Sequence, residues 1–425
     1  MILSDNETKV DLLNSEAVAK TIVKLIADRP EHPITIGVHG DWGAGKSSVL
    51  EMIEENLISN SDVLCIKFNG WRFQGFEDAK IALIEGIVTE LVEKRSLLTT
   101  ALEEVKDIFK RIDWLKAAKK GASFALTAFT GVPTPEVVNT IISGLKGIAN
   151  NPGQLATKEN IEGLISQADE LIKPKSENKN IPKEIGEFRK AFNELLKKAG
   201  VKQLIVLIDD LDRCLPETAI ETLEAIRLFV FTDRTAFVIA ADEAMIEYAV
   251  RRHFPELPET SGYQAYTRNY LEKLIQVPFR IPILGEFETK IYITLLLIGS
   301  EVGENDSGFI KLIEAARQRL KKPWESQSID SEIVRSTLGT KASKAQVALN
   351  LSEQISPILA SGTKGNPRQI KRFLNTLLLR QRTAEARGFG QLIDQRALAK
   401  LMIAERFIPR LYEQIANSAA TSQDG

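Results

Sequence analysis

A chain of 425 residues is too long for one compact core, so roughly two or three lobes are expected. Apolar residues at 44% and charged residues at 26% exclude a disordered chain, and a formal charge of -2 excludes one that is basic throughout, leaving only local basic faces for a polyanion. Two cysteines and three scattered histidines cannot build a zinc site by spacing; Cys65 and Cys214 lie in or beside apolar runs, read as buried free thiols, and fit a reducing cytoplasm.

The N-terminal Met1-Ile2-Leu3-Ser4-Asp5-Asn6 has no basic stretch leading into an apolar one, so no signal peptide is expected. A short apolar run at 34–38 reads as a buried strand, and a helix follows at 47–57. A second strand at 63–68 leads to a helix at 78–93. The next strand, 204–208, comes only after about 135 residues, far beyond an ordinary crossover. Between them, 99–149 reads as helical and 173–180 as a polar loop, and the helix 187–199 leads back into the sheet. Residues 121–149 approach a membrane span most nearly, but Pro133, Pro135, Glu136, Asn139 and Lys146 interrupt them, and no run reaches the roughly 18 apolar residues a span needs. Then come a helix at 217–231, a strand at 236–240, a helix at 243–253 and a strand at 274–279. After Pro282 only helical spacing remains: 287–302, 308–320, 343–359, 367–382 and 391–416, with a small polar tail from Ser418 that should fray. The expected fold is α/β, a parallel sheet of about five strands with an all-helical insertion and a helical C-terminal lobe. The expected divisions are core at 1–98, insertion at 99–185, core again at 186–285 and lid-like lobe at 286–425.

The segment Gly40-Asp41-Trp42-Gly43-Ala44-Gly45-Lys46-Ser47, followed by Ser48, stands between the first strand and its helix. Glycines let the backbone turn its N–H groups inward around a phosphate, and the helix N-terminus adds positive potential. Lys46 is then placed to bridge the β- and γ-phosphates and Ser47 to ligate Mg²⁺, so ATP with Mg²⁺ is the expected pair. A second cluster follows the strand 204–208: Asp209-Asp210-Leu211-Asp212. Three carboxylates at a buried strand end repel one another unless a cation shares them. Asp209 is the expected metal partner, and Asp210 or Asp212 the residue that orients and deprotonates water. Asp242, just past the fourth strand, can touch the γ-phosphate or cap the next helix. Arg213, Arg251, Arg252, Arg268 and Arg368 are candidates to stabilise transition-state charge. In Gly365-Asn366-Pro367-Arg368, glycine and proline fix a turn that opens a helix, with Arg368 on its first turn and Arg372 one turn later on the same face.

Four of these pieces together resemble the KAP P-loop NTPases: the phosphate loop with Trp42; Phe68-Asn69-Gly70-Trp71, with glycine where the family has alanine; Asp209-Asp210-Leu211-Asp212-Arg213-Cys214; and Asn366-Pro367-Arg368 followed by Lys371-Arg372-Phe373. The resemblance spans residues 11–375. It implies a core related to AAA+ and STAND ATPases, with the strand before Asp242 placed between the phosphate-loop and acidic strands, Asp242 as first sensor and Arg368 as second. It also implies an arginine finger from a neighbour, hence a homo-oligomer or a hetero-complex with effector proteins. Soluble bacterial members resemble antiviral defence ATPases, whereas many others carry membrane helices in the insertion. A nucleotide-driven switch or motor is the leading reading; a regulatory module that holds ATP with little hydrolysis is the alternative, and a kinase lacks a signature. The basic stretches 106–120 and 364–387 read first as solvated helix faces and second as nucleic-acid contacts.

Overall fold

The computed structural model describes residues 3, 10–28, 30–73, 79–121, 181–229, 232–253, 270–325 and 328–421. Five strands, β1 (Ile34–His39), β2 (Val63–Asn69), β3 (Gln203–Asp209), β4 (Thr235–Ala241) and β5 (Val277–Arg280), form one sheet in the order β2-β3-β4-β1-β5. All neighbours run parallel. The acidic strand β3 is therefore separated from the phosphate-loop strand β1 by β4 alone, the order implied by the family resemblance.

Side chains alternate across a strand, and here each face has its own core. Leu204, Val206 and Ile208 of β3 and Phe237, Ile239 and Ala241 of β4 join one cluster; Ile205, Leu207, Ala236, Val238 and Ala240 join the other. Burial on both faces explains why β3 and β4 read as unbroken apolar runs. The second face is covered by α1 (Glu16–Ala27) and α2 (Lys46–Leu57), which pack on each other. The first is covered by α3 (Ala79–Lys94), α4 (Leu102–Gly121), α5 (Ile181–Lys198), α6 (Pro216–Phe229) and α7 (Glu243–His253). Phe188 and Phe192 of α5 pack edge-on against Phe229 of α6 at 5.8 and 5.2 Å between ring centres, so α5 is anchored in this core.

A separate core belongs to α8 (Glu286–Val302), α9 (Ser307–Leu320), α10 (Ser331–Leu338), α11 (Ala342–Gly362), α12 (Pro367–Ala386) and α13 (Gln395–Phe407). Leu3 is buried in it, and both its backbone groups bond the Asn375 side chain of α12 at 2.7 and 2.8 Å. Just before α1, Asp11 accepts from the N–H groups of Leu13, Ser15 and Glu16, while its carbonyl accepts from Arg317 of α9. The first residues of the chain thus tie the helical lobe to the core.

Three expectations are corrected in detail. Leu274 and Ile275 are not strand residues; their N–H groups donate back to the Leu271 carbonyl, and pairing with β1 begins at Gln276 N–H. The single helix expected over 391–416 is two, α13 and α14 (Pro409–Thr421). Pro409 has no N–H and restricts the residue before it, and Ile408 sits at φ -136°, ψ 62°. Instead of fraying from Ser418, α14 runs on to Thr421. The helices α1 and α10 were not anticipated. The apolar part of the insertion at 122–149 and the loop at 173–180 lie outside the described residues. No helix among the described residues is long and apolar enough to cross a membrane. Within α4, Lys106 pairs with Glu103 and Arg111 with Asp107.

Candidate functional site

Parallel strands deliver their C-terminal ends to one edge, the place where sheets of this kind bind ligands. Here that edge collects the loop after β1, Asn69 at the end of β2, the aspartates after β3, and Asp242 after β4. The loop 40–45 turns through Gly43 at φ +90° and Gly45 at φ +101°, values that glycine adopts without strain. Lys46 and Ser47 open α2, and Ser48 follows, half-buried, on its first turn. The Lys46 ammonium, 7% exposed, donates to the Gly40 carbonyl at 2.9 Å and the Asp41 carbonyl at 3.4 Å, and pairs with Asp212 at 3.1 Å. Asp41 itself faces outward and pairs with Arg280 of β5 at 3.4 Å.

The three aspartates have three different surroundings. Asp209 accepts from the Ser47 hydroxyl at 3.1 Å and from the Asp210 N–H at 2.9 Å. Burial, reinforced by the neighbouring Asp210 charge, pushes its carboxyl above the usual range, against the pull of those two donors. Asp210 stands at φ +55°; Asn69 Nδ2 donates to its side chain at 2.9 Å and Arg213 Nε pairs with it at 2.9 Å. Asp212 pairs with Lys46 and accepts from the Asp242 N–H at 3.0 Å. The structure therefore brings Ser47, Lys46, Asp209, Asp210 and Asp212 together across three elements.

Other candidates divide. Asp242 accepts from the Ala244 N–H at 3.0 Å, so its side chain caps α7, while its main chain supports Asp212. Arg251 and Arg252 are exposed at the far end of α7, and Arg268 lies outside the described residues. Arg368 and Arg213 flank the exposed Trp42 ring, each 5.8 Å from its centre. Arg372, one turn further along α12, is exposed. Asn69 was legible only as part of a signature; its contact with Asp210 depends on β2 pairing with β3 in the register Asn69↔Asp209. Cys214, beside the acidic turn, is free and half-buried, and burial pushes its thiol up to about 12, as for Cys65, so neither is a nucleophile at neutral pH.

The model of the KAP family P-loop domain matches residues 15–384. The chain belongs to the KAP family. It is similar to an uncharacterised protein of Methanocaldococcus jannaschii, 27% identical over 176 residues, which are 40% of this chain and 87% of that one. It is also similar to the Phage T7 exclusion protein of Escherichia coli K12, 22% identical over 284 residues, which are 64% of this chain but 33% of that protein; the KAP chain thus spans about a third of this relative. Among solved structures, the Aeropyrum pernix ORC2 protein in its ADPNP and ADP complexes aligns over 84% of this chain and 75% of that one, at 13% identity and a TM-score of 0.30, too loose to carry an argument.

The Asp209 environment has a consequence for stability. A carboxyl raised above its unfolded value makes ionisation costly to the folded state at neutral pH, and the cost disappears as pH falls through the raised value. Asp209→Asn should therefore melt above the parent at pH 7 without ligand, with the gap closing on acidification. A variant that melts below the parent at pH 7 contradicts this.

Proposed function

We propose that this KAP chain is a Mg²⁺-dependent ATPase whose helical lobe follows the state of the phosphate loop. The observation that carries the reading is the 3.1 Å contact between Ser47 Oγ and Asp209, on the same acidic turn whose Asp212 pairs with the Lys46 ammonium. A hydroxyl and a buried carboxylate are hard oxygen donors, and Mg²⁺ takes few protein ligands when phosphate oxygens and water complete its shell, so the pair fits that ion. Bound there, Mg²⁺ would neutralise charge on the β- and γ-phosphate oxygens. The protein's own residues do the rest. Lys46 holds the β- and γ-phosphates, and Asp212 fixes the Lys46 ammonium. Asp210, steadied by Asn69 and Arg213, takes a proton from water as the water oxygen bonds to the γ-phosphorus and the bond to the bridging β–γ oxygen breaks, releasing ADP. Arg368 and Asp242 are proposed to report the γ-phosphate to the lobe and to β4.

The alternative, ATP held with little turnover, is favoured by one feature: both Asp210 oxygens are engaged, by Arg213 and Asn69. Similarity to a phage exclusion protein supports a role in antiviral defence, with other copies of the chain or effector proteins as partners. Phosphate release from ATP by the purified chain, followed across protein concentration with Mg²⁺ and with chelator, tests these together. Release that needs Mg²⁺ and rises faster than linearly with protein is expected. ATP binding without single-turnover release would leave the holding module, strictly linear release would remove the homo-oligomer, and no nucleotide binding would remove the function.

A further inference from the structure

The tip of the phosphate loop rests on the helical lobe. Asn366, the N-cap of α12, is 9% exposed, and its Oδ1 accepts from the Gln369 N–H at 3.1 Å. Its amide nitrogen is thereby turned to the loop, where it donates to the Trp42 carbonyl at 2.9 Å. The two backbones meet closely: a Cβ on Gly43 would stand 2.5 Å from Arg368 Cβ and 2.9 Å from Asn366 Oδ1. Gly43 has no side chain to prevent this, and its carbonyl accepts from the Arg368 N–H at 3.4 Å. On the other side of the turn, Gly365 at φ +64° lies against Leu284, whose N–H donates to the Gly365 carbonyl at 3.4 Å. A side chain at 365 would meet the Leu284 carbonyl at 2.1 Å, so the turn is seated on the segment leading out of β5.

A trans peptide is planar, and its C=O and N–H point in opposite directions. Whatever fixes the Trp42 carbonyl also fixes the N–H of Gly43. We propose that Asn366 is a positioning residue for nucleotide binding: by holding the Trp42 carbonyl toward the lobe, it turns the Gly43 N–H toward the phosphate. The lobe then contributes to affinity without touching the ligand through this residue. By reciprocity, a bound phosphate that orients Gly43 strengthens the seat of α12 on the loop. The inference rests on nucleotide binding at residues 40–48 and adds a residue from a helix more than 300 positions away in sequence.

The cap and the donor can be separated. Aspartate caps a helix as well as asparagine does but cannot donate to Trp42. Serine also caps, and it is too short to reach the loop while capping. Asn366→Asp and Asn366→Ser should each bind ADP about tenfold more weakly by titration calorimetry, with the ligand-free melting temperature of the serine variant, which adds no charge, lowered by no more than about 2 °C. In the parent, ADP should slow amide exchange at Gly43 and Arg368 together; in the variants the Arg368 amide should no longer respond. ADP affinity within twofold of the parent in both variants overturns the proposal. So does a loss of affinity matched by an equal loss of ligand-free stability, which would make Asn366 a fold residue only. A parent chain that fails to bind ADP is a different result, and it removes the nucleotide reading itself.

Discussion

Asp210→Asn should lower ATP turnover about 10³-fold while leaving the ATP dissociation constant within about twofold of the parent. The expectation follows from how the three aspartates are divided. Asp209 faces Ser47 and the proposed metal position, and Asp212 is committed to Lys46 at 3.1 Å and to the Asp242 amide at 3.0 Å. The Asp210 side chain bonds Asn69 and Arg213, so its amide analogue leaves the Lys46 and Ser47 contacts in place. Asparagine can keep the bond from Asn69 but cannot take a proton. Single-turnover phosphate release and equilibrium binding on the same preparation separate the two effects. Turnover within tenfold of the parent would pass the role of base to Asp212. A parallel collapse of binding would make Asp210 part of the loop's support.

The sheet was legible because its three central strands, β1, β3 and β4, are buried on both faces. β3 and β4 are apolar at nearly every position, and each of the five strands is found within a few residues of its expectation. The phosphate loop and the acidic run were legible for a different reason: consecutive residues perform one task, so spacing alone exposes them. The contacts that join separate segments were not. Asn69 meets Asp210 only because β2 and β3 are neighbours in one register, and nothing local to Phe68-Asn69-Gly70-Trp71 states that. Asn366 was read only as part of a turn that opens a helix; the structure makes it the N-cap, and its second bond to Trp42 arises from how the lobe sits on the loop. Trp42 was read as a family mark, and its place between Arg213 and Arg368 needs both the β3 turn and α12. The two unanticipated helices are short amphipathic pieces: α10 has 8 residues and α1 has 12, and both are stabilised by what they pack on more than by propensity. The break at Pro409 was written in the sequence, and the long helical pattern around it hid it.

Lys46→Ala should abolish measurable ATP hydrolysis and also destabilise the ligand-free protein. The lysine is buried, and Asp212, its partner, is 8% exposed in its side chain. Removing the ammonium leaves that carboxylate in a poorly hydrated site without a counter-charge and takes the donor from the Gly40 and Asp41 carbonyls. An unpaired buried charge costs about 3–5 kcal/mol, enough to lower the melting temperature by several degrees. Loss of activity alone would then be ambiguous between lost chemistry and a weakened fold. The double variant Lys46→Ala with Asp212→Asn removes the ambiguity. Neutralising Asp212 relieves the unpaired charge, so the double variant should recover most of the melting temperature and none of the hydrolysis. A double variant that regains turnover would show that the lysine acts only through the fold. One that stays as unstable as the single variant would mean that the two carbonyl contacts within the loop, and not the ion pair to Asp212, carry the lysine's contribution to stability.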